Sequence, residues 1–273
     1  MEKIFEVTVS EEYPTLRDFL RRAGFSYSLT KEAKRGSILL NGEPVTVRAT
    51  VRAGDRVEVY VKERKSEGIT PIDIPLTVLY EDEDILAVDK PVNMPTHPSK
   101  GNNLLTLANA VMAYFGGDFV FRSVNRLDRD TSGIVIIAKN QISAGEMSKS
   151  MKAGLWQKEY EALVVGRPTP MAGVIDEPIE RVAEGNIKRE VRADGKRAVT
   201  EYRVVEERGE NSLCRIALKT GRTHQIRVHM AHIGHPLVSD FLYGKLTDEA
   251  YYLRCKKITF PHPKSNELIT VLA

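Results

Sequence analysis

The chain has 273 residues, of which 42% are apolar, so it can bury a substantial core in one large or two unequal units. Its net charge of +3 is too small to indicate a nucleic-acid partner, and its two cysteines exclude a disulfide framework and a four-cysteine metal site. No apolar run approaches a membrane span and the first residues do not resemble a signal peptide, so we expect a cytoplasmic protein without membrane contact.

A small separate domain is predicted by the residues from 13 to 61. Apolar residues recur at helical spacing between residues 15 and 22, with basic residues on the other side of the predicted helix. Further along, Asn41-Gly42 separates two strand-like runs, and this pair predicts a hairpin because it tolerates the positive φ of a tight turn. Alternating apolar residues predict another strand over residues 57 to 61. We therefore expect a helix followed by a small sheet.

A charged segment without apolar residues, 62 to 68, is typical of a flexible linker. It divides the chain into a small unit over residues 1–70 and a large unit over residues 71–273. In the large unit, short strand-like runs alternate with helical patterns such as residues 104 to 115. This alternation predicts an α+β domain with a mixed, largely antiparallel sheet.

Residues 125 to 133, Asn-Arg-Leu-Asp-Arg-Asp-Thr-Ser-Gly, form a densely charged loop. The apolar run at 134 to 138 follows directly and predicts a buried strand, so the loop holds a carboxylate at the edge of the core. Taken alone, the charges of the loop are most simply explained as surface ion pairs, because exposed pairs are common and weak.

The stretch from 211 to 239 contains no carboxylate, although four basic residues and four of the six histidines fall within it. Charge clustering is common on solvated faces, so this feature alone is not specific for nucleic acid. Within the stretch, Ile226, Met230 and Ile233 recur at helical spacing, and Thr223 is placed to cap the helix that they predict.

The histidines at 229, 232 and 235 do not predict a metal site. Their spacing lacks the pair at i and i+4 that is typical of helical zinc sites, and no cysteine is close in sequence. No cluster of carboxylates or histidines suited to two metal ions is visible either, which argues against a metal-dependent nuclease. We therefore expect no bound metal.

Four ordered blocks resemble the motifs of the RluA-type RNA pseudouridine synthases, and the resemblance covers essentially the whole chain. The blocks lie near residues 80–98, 125–139, 157–166 and 219–244. The order of elements in the small unit is similar to the alpha-L RNA-binding module often attached to the front of these enzymes. The resemblance implies an α+β pseudouridine synthase fold with a mixed, largely antiparallel sheet, preceded by a small alpha-L RNA-binding-like domain.

The resemblance also implies roles for individual residues. Asp128 matches the catalytic aspartate, Tyr160 matches a tyrosine that stacks on the uracil and is a candidate for moving the carbon-five proton, and Arg222 matches an arginine that pairs with the catalytic carboxylate. Arg126 matches an arginine that can occupy the gap left by the flipped base. Basic side chains are expected at the RNA: Arg126, Arg129, Lys219, His224 and Arg227.

Several positions depart from the usual family pattern, among them Arg254 and Cys255, which stand where His-Ala is commoner. Asn125 stands where the family usually has histidine, and its amide can still make hydrogen bonds within the loop. In the first motif, residues 89 to 98, Asp89 replaces an asparagine and Asn93 replaces a glycine, which is tolerable where a positive φ is needed. We expect this motif to support the wall of the pocket. Asp130 is expected to be a loop carboxylate, paired with Arg129.

Pseudouridine formation breaks the bond between ribose and uracil, rotates the freed base and rejoins it through carbon five. The resemblance implies a cofactor-free, monomeric isomerase acting on uridines of structured RNA, with large-subunit ribosomal RNA favoured over transfer RNA. Both an attack of Asp128 on the glycosidic carbon and removal of a neighbouring ribose proton remain open. The alternative is a noncatalytic RNA-binding or ribosome-assembly protein on the same fold.

Overall fold

The computed structural model of the protein describes residues 2–25, 27–34, 37–61, 68–99 and 104–273. Its strands form two larger sheets, each with its own cluster of buried apolar side chains. Of the predicted linker, Gly68 is described and residues 62 to 67 lie outside the described residues. No helix within the described ranges is both long and apolar enough to cross a membrane.

The first sheet has four strands in the order β1-β4-β2-β3, and its neighbouring strands are antiparallel. The elements of this part are β1 (Glu2–Thr8), α1 (Leu16–Arg22), α2 (Tyr27–Ala33), β2 (Ser37–Leu40), β3 (Glu43–Pro44) and β4 (Arg56–Val61).

The predicted helix and hairpin of this part are confirmed. The α1 helix begins after Thr15, whose side chain accepts a hydrogen bond from the Asp18 backbone N–H, and it buries its apolar face in the small core. Asn41 has φ 53° in the hairpin turn, and its amide donates to Asp55 at 2.8 Å. The turn is therefore stabilised both by its backbone preference and by a side-chain bond across the sheet.

The second part carries the remaining elements. These are β5 (Thr77–Glu81), β6 (Ile85–Lys90), α3 (Leu107–Tyr114), β7 (Ser132–Ala138), α4 (Gln141–Lys152), β8 (Gln157–Val165), β9 (Ala172–Asp176), β10 (Ile179–Arg181), β11 (Arg189–Val191), β12 (Val199–Arg208), β13 (Asn211–Leu218), α5 (Gln225–His232), β14 (Leu253–Pro261) and β15 (Leu268–Leu272). The α3 helix begins later than its apolar pattern predicts because Thr106 caps it, accepting from the Asn109 N–H at 3.3 Å.

The large sheet has nine strands, eight of them in the order β5-β6-β7-β14-β8-β13-β12-β9, with β15 also paired to β14. The pair β7/β14 is parallel and the other pairs of this sheet are antiparallel. All seven residues of β7 are buried, as the apolar run predicts. The mixed, largely antiparallel sheet of the predicted α+β fold is thus confirmed.

Gly133 sets how closely β7 and β14 approach each other. Its φ is +107°, and a Cβ atom there would lie 2.2 Å from the carbonyl oxygen of Cys255. A side chain at this position would therefore push the two strands apart. Because the charged loop ends at Gly133, the close approach also fixes where that loop leaves the sheet.

The small part packs against α4 of the large part, in part through the turn that follows α1. Ile142 contacts the apolar cluster of the small sheet, and a Cβ atom on Gly24 would come within 2.8 Å of the Glu146 side chain. The two parts therefore meet along one face of α4.

Candidate active site

A cavity of about 690 Å³ opens between the charged loop, the start of β8 and the turn that precedes α5. Its size is in the usual range for a small-molecule site, so it has room for a single nucleotide. Seven of the eight residues predicted for the site line it: Arg126, Asp128, Tyr160, Lys219, Arg222, His224 and Arg227. The structure therefore brings together segments that lie far apart in sequence.

Asn125 and Thr96 hold the loop that carries Asp128. The Asn125 amide donates to the Ile134 carbonyl at 3.0 Å and accepts from the Ile136 N–H at 2.8 Å. The Thr96 hydroxyl donates to the Leu127 carbonyl at 2.9 Å. Both side chains are buried, so water does not compete for these bonds. The asparagine at position 125 thus ties the loop to β7.

Lys90, in the first motif (residues 89 to 98), supports the charged loop. Its ammonium donates to the carbonyls of Pro91, Met94 and Arg129 at 2.8, 2.7 and 3.1 Å. Burial lowers the pKa of Lys90 to about 8, and nearby carboxylates, Asp130 before Asp128, oppose the shift. Three main-chain bonds to one buried amine make this motif a structural support, as predicted.

The same motif contains the predicted positive φ. Asn93 replaces the glycine of the family pattern and has φ 59°, in the left-handed region where asparagine is tolerated. One residue later, the backbone N–H of Met94 donates to the Arg129 carbonyl at 3.1 Å. The turn at Asn93 thus directs the chain back to the charged loop.

Tyr160 lies on β8 beside the cavity and is 7% exposed. Burial raises its pKa well above the ordinary value, and the neighbouring Cys255 and the charge of Asp128 act in the same direction. The phenol is therefore neutral at physiological pH. A neutral, buried ring beside a carboxylate can present a flat face to a base and an O–H group to a nearby acceptor.

His224 is the closest described partner of Asp128, with Nε2 3.8 Å from Oδ2. Burial lowers the pKa of His224, and the charge of Asp128 opposes that shift. The other ring nitrogen, Nδ1, lies 2.8 Å from the hydroxyl of Tyr243. His224, predicted as an RNA contact, thus connects the carboxylate to a tyrosine that the sequence did not single out.

The cap predicted for α5 is corrected. The N-cap residue is His224 in the left-handed conformation, with φ 57° and without a side-chain cap hydrogen bond, and Thr223 lies one residue before it. The helix itself follows the apolar pattern and ends before Gly234. The left-handed backbone of His224 turns the chain sharply at the start of α5, and the His224 side chain lines the cavity.

The predicted ion pair between Arg222 and Asp128 is corrected as well. Arg222 is exposed, and its Nε donates to the Arg197 carbonyl at 3.0 Å. The turn before α5 directs this side chain toward the segment that leads into β12, and among the described residues no ion pair joins it to Asp128. Because Arg222 lies at the mouth of the cavity, a contact between Arg222 and the substrate stays a prediction.

Arg227 is the buried cation of the site, whereas the sequence predicted a contact with RNA. Its side chain is 5% exposed, and it makes two hydrogen bonds of 2.7 Å to Asp240, which is fully buried. Burial lowers the pKa of Arg227, but Asp240, Tyr251 and Asp128 together more than compensate, so the pKa lies above the ordinary value. A guanidinium held this way is enclosed by protein and does not extend to surface phosphates.

Aromatic rings surround this guanidinium. Its carbon lies 5.4, 5.1 and 5.9 Å from the ring centroids of Phe241, Tyr243 and Tyr251. These rings and Asp240 were not predicted from the sequence. One available signal was that Asp240 is the first carboxylate after the acid-free stretch, with an aromatic residue on its carboxyl side.

The remaining predicted residues differ in their surroundings. Lys219 is exposed at the mouth of the cavity and pairs with Glu201 at 3.2 Å. Arg129 points away from the cavity and pairs with Asp130 at 3.0 Å, as expected for a loop ion pair. Both nitrogens of His229 bond to protein oxygens, one of Thr200 and one of the main chain, so this histidine is fixed within the core.

Comparisons with known proteins agree on one family. A family model described as RNA pseudouridylate synthase matches residues 84–232. A Bacillus subtilis protein named as an uncharacterized RNA pseudouridine synthase is 36% identical, over 93% of this chain and 92% of its own. The ribosomal large subunit pseudouridine synthase D of Xanthomonas campestris is 38% identical, over 88% of this chain and 71% of its own.

A solved structure supports the same relationship. The human RNA pseudouridylate synthase domain containing 1 protein aligns with a TM-score of 0.63 and 27% identity. The alignment covers 73% of this chain and 83% of the human one.

Proposed function

This chain belongs to the RNA pseudouridylate synthase family, whose members are isomerases, and from that membership we propose that it converts uridine to pseudouridine in large-subunit ribosomal RNA, with Asp128 as its catalytic residue. The observation that carries the proposal is the position of Asp128. It is the carboxylate in the cavity lining, on a loop anchored by the buried side chains of Asn125 and Thr96, and a buried tyrosine and a histidine line the cavity with it.

The geometry suits a reaction in which the base is detached for a time. Asp128 acts on the ribose, either by bonding to the glycosidic carbon or by accepting a neighbouring ribose proton. In either route the bond from the glycosidic carbon to the base nitrogen breaks and the base turns. Carbon five then bonds to the glycosidic carbon, while the bond to Asp128 breaks in the first route and the ribose proton is returned from Asp128 in the second. The proton on carbon five leaves, and the former glycosidic nitrogen finally carries a proton, so atoms and charge balance without a metal or redox cofactor.

Tyr160 and Arg227 support this chemistry from the wall of the cavity. The ring of Tyr160 offers a stacking surface for the uracil, which keeps the detached base in place, and its neutral hydroxyl can help to transfer the carbon-five proton. Arg227 provides a buried positive charge near the carboxylate, and its pair with Asp240 holds that charge in position.

Exposed basic residues around the mouth fit the phosphates of a folded RNA. Arg126, Lys219 and Arg222 line the opening, and each phosphate that they neutralise releases counterions. Extruding a uridine from its stack costs a few kcal/mol, which such contacts offset. Arg126, on the loop beside Asp128, is placed to fill the space that the base leaves.

Two observations support the finer points of the proposal. The relative from Xanthomonas campestris carries the large ribosomal subunit in its name, which favours that RNA over transfer RNA. The small sheet has its own apolar core, which supports a separate domain over residues 1–70 and a catalytic domain over 71–273. We propose that the chain acts as a monomer and requires no cofactor.

Release of tritium from carbon five of labelled uridine tests the proposal. Unmodified ribosomal and transfer RNA are incubated with the natural chain, with Asp128→Asn and with Asp130→Asn. Asp130 is a matched control, because it lies two residues away and pairs with Arg129 outside the cavity. We expect release from ribosomal RNA that Asp128→Asn abolishes and Asp130→Asn retains, with RNA affinity nearly unchanged in both variants.

Other results would redirect the assignment. Turnover retained in Asp128→Asn would contradict the role of Asp128, and release from transfer RNA alone would contradict the ribosomal substrate. RNA binding without release from either RNA would favour a noncatalytic RNA-binding protein on the same fold.

A further inference from the structure

The hydroxyl of Tyr243 lies between a backbone N–H and the ring of His224. The N–H of Arg189 donates to it at 2.9 Å, and Nδ1 of His224 lies 2.8 Å from it. Within the described parts of the chain, no other acceptor lies within bonding distance of the phenolic proton. Nδ1 of His224 is therefore the described acceptor for the Tyr243 O–H, and as an acceptor it is the unprotonated nitrogen of a neutral ring.

This arrangement decides which edge of His224 faces Asp128. With Nδ1 accepting, the single ring proton of the neutral imidazole is on Nε2. Nε2 lies 3.8 Å from Oδ2 of Asp128, slightly beyond a hydrogen bond, and such contacts commonly shorten when substrate binds. In this tautomer the Nε2–H group lies nearest Oδ2 of the carboxylate, and the other oxygen stays available for the sugar.

We propose that Tyr243 is a positioning residue, whose hydroxyl fixes the His224 tautomer that orients the carboxylate of Asp128 toward the ribose. This inference rests on the proposed catalytic role of Asp128. The left-handed backbone of His224 fixes where the ring begins, and the Tyr243 hydroxyl fixes which nitrogen carries the proton. Neither constraint alone would orient the donor.

Burial favours a neutral His224 ring, while the charges around it act in opposite directions. Two carboxylates, Asp128 and Asp240, and two cations, Arg227 and Arg189, act on it from different elements. Burial is the largest influence and lowers the pKa of His224, so the ring is uncharged at neutral pH. A neutral ring needs a defined tautomer, and the bond from Tyr243 supplies it.

Tyr243 also has a packing role that must be separated from its hydroxyl. Its ring packs edge-on against His224 at 5.7 Å between centroids and lies 5.1 Å from the Arg227 guanidinium. The change Tyr243→Phe keeps both ring contacts and removes the hydroxyl. Tyr252→Phe is a matched control, because its hydroxyl donates to Glu161 at 3.1 Å, away from the cavity lining.

The test combines nitrogen NMR of labelled histidine with steady-state kinetics. The ring signals of His224 are assigned by their disappearance in His224→Gln. In the natural chain we expect Nε2 to be protonated and Nδ1 to be unprotonated at neutral pH. In Tyr243→Phe we expect a mixture of tautomers, together with a fall in kcat of about tenfold, the size of one lost hydrogen bond, at unchanged KM. Tyr252→Phe should match the natural chain in both measurements.

Each contrary result bears on the inference in a defined way. Protonation of Nδ1 in the natural chain would overturn it, whether or not the variants fold. Full kcat in Tyr243→Phe, or a lower kcat with unchanged ring signals, would also overturn it. Turnover retained in Asp128→Asn would instead remove the proposed function itself, and the ring signals would still report the tautomer independently.

Discussion

The buried pair of Arg227 and Asp240 makes a specific prediction about stability. The two side chains are 5% and 0% exposed, and Asp240 Oδ1 also accepts from the backbone N–H groups of Leu242 and Tyr243 at 2.9 and 3.2 Å. Asp240→Asn preserves the size of the side chain and removes its charge. The guanidinium then stays buried without its full counter-charge, which is the costly part of the change.

The expected cost is about 3 kcal/mol, at the lower end of the range for breaking a buried pair, because asparagine keeps one acceptor oxygen. A loss of this size lowers the melting temperature by roughly 6–12 °C for a domain of this size. Urea unfolding can be followed by the fluorescence of Trp156, the single tryptophan, which stacks on Phe260 in the large part.

An exposed pair provides the matched control. Asp176 bonds Arg197 at 3.0 Å, and these side chains are 50% and 75% exposed. Asp176→Asn should change the free energy of unfolding by less than about 1 kcal/mol. If Asp240→Asn unfolds at the same urea concentration as this control, the buried pair does not constrain the site and the reasoning is wrong.

A second variant separates stability from chemistry. Arg227→Met combined with Asp240→Asn removes both charges, and the asparagine keeps an acceptor for the backbone N–H groups of Leu242 and Tyr243, so no buried charge is left unpaired. We expect this double variant to unfold near the natural chain and to release little tritium from uridine, because the cation near Asp128 is gone. Recovery of both stability and turnover would show that the charge of Arg227 has no role in the reaction.

Two further predictions concern the support of the charged loop. Gly133→Ala should lower the free energy of unfolding by more than about 3 kcal/mol, because the new methyl group meets the Cys255 carbonyl. The control Gly154→Ala, with φ +76° and open space around it, should lower it by only about 1 kcal/mol in the same urea assay. Equal losses in the two variants would contradict the close approach of β7 and β14. The pKa of Lys90 is about 8 in the folded chain, below its ordinary value of 10.5. As the pH rises from about 8 to 10.5, the folded chain therefore loses this proton before the unfolded chain does, and the free energy of unfolding should rise. Lys90→Met should remove this rise, and an unchanged pH dependence in the variant would refute the assignment.

Local patterns predicted the elements that carry the loop. The apolar run of β7 is buried at every position, and Asn41 and Asn93 adopt the positive φ expected of them. Each of these features depends on neighbouring residues only, so sequence periodicity and turn preference are enough to predict it. The position of Asp128 at the edge of the core follows in the same way.

The roles within α5 could not be predicted in this way. Its apolar spacing suggests one buried face, but the helix is buried from Gln225 to Met230, including Arg227. What allows an arginine there is a carboxylate thirteen residues later, together with rings from the segment before β14. A motif with two arginines does not reveal which one the fold encloses, because that depends on contacts that form only in the folded chain.

The place of β14 in the sheet affects how the protein forms during synthesis. This strand lies between β7 and β8, yet about ninety residues separate the end of β8 from its first residue, Leu253. At ordinary elongation rates the ribosome needs on the order of ten seconds to cover that distance. Meanwhile the edges of β7 and β8 that β14 will pair are exposed, and β7, whose seven residues are all buried in the folded chain, lacks part of its cover. Unpaired edges and exposed apolar residues are surfaces that chaperones bind. In a nascent chain that ends before Leu253, the strands β5-β6-β7 are therefore not joined to β8-β13-β12-β9, and the cavity lacks Leu253 from its lining.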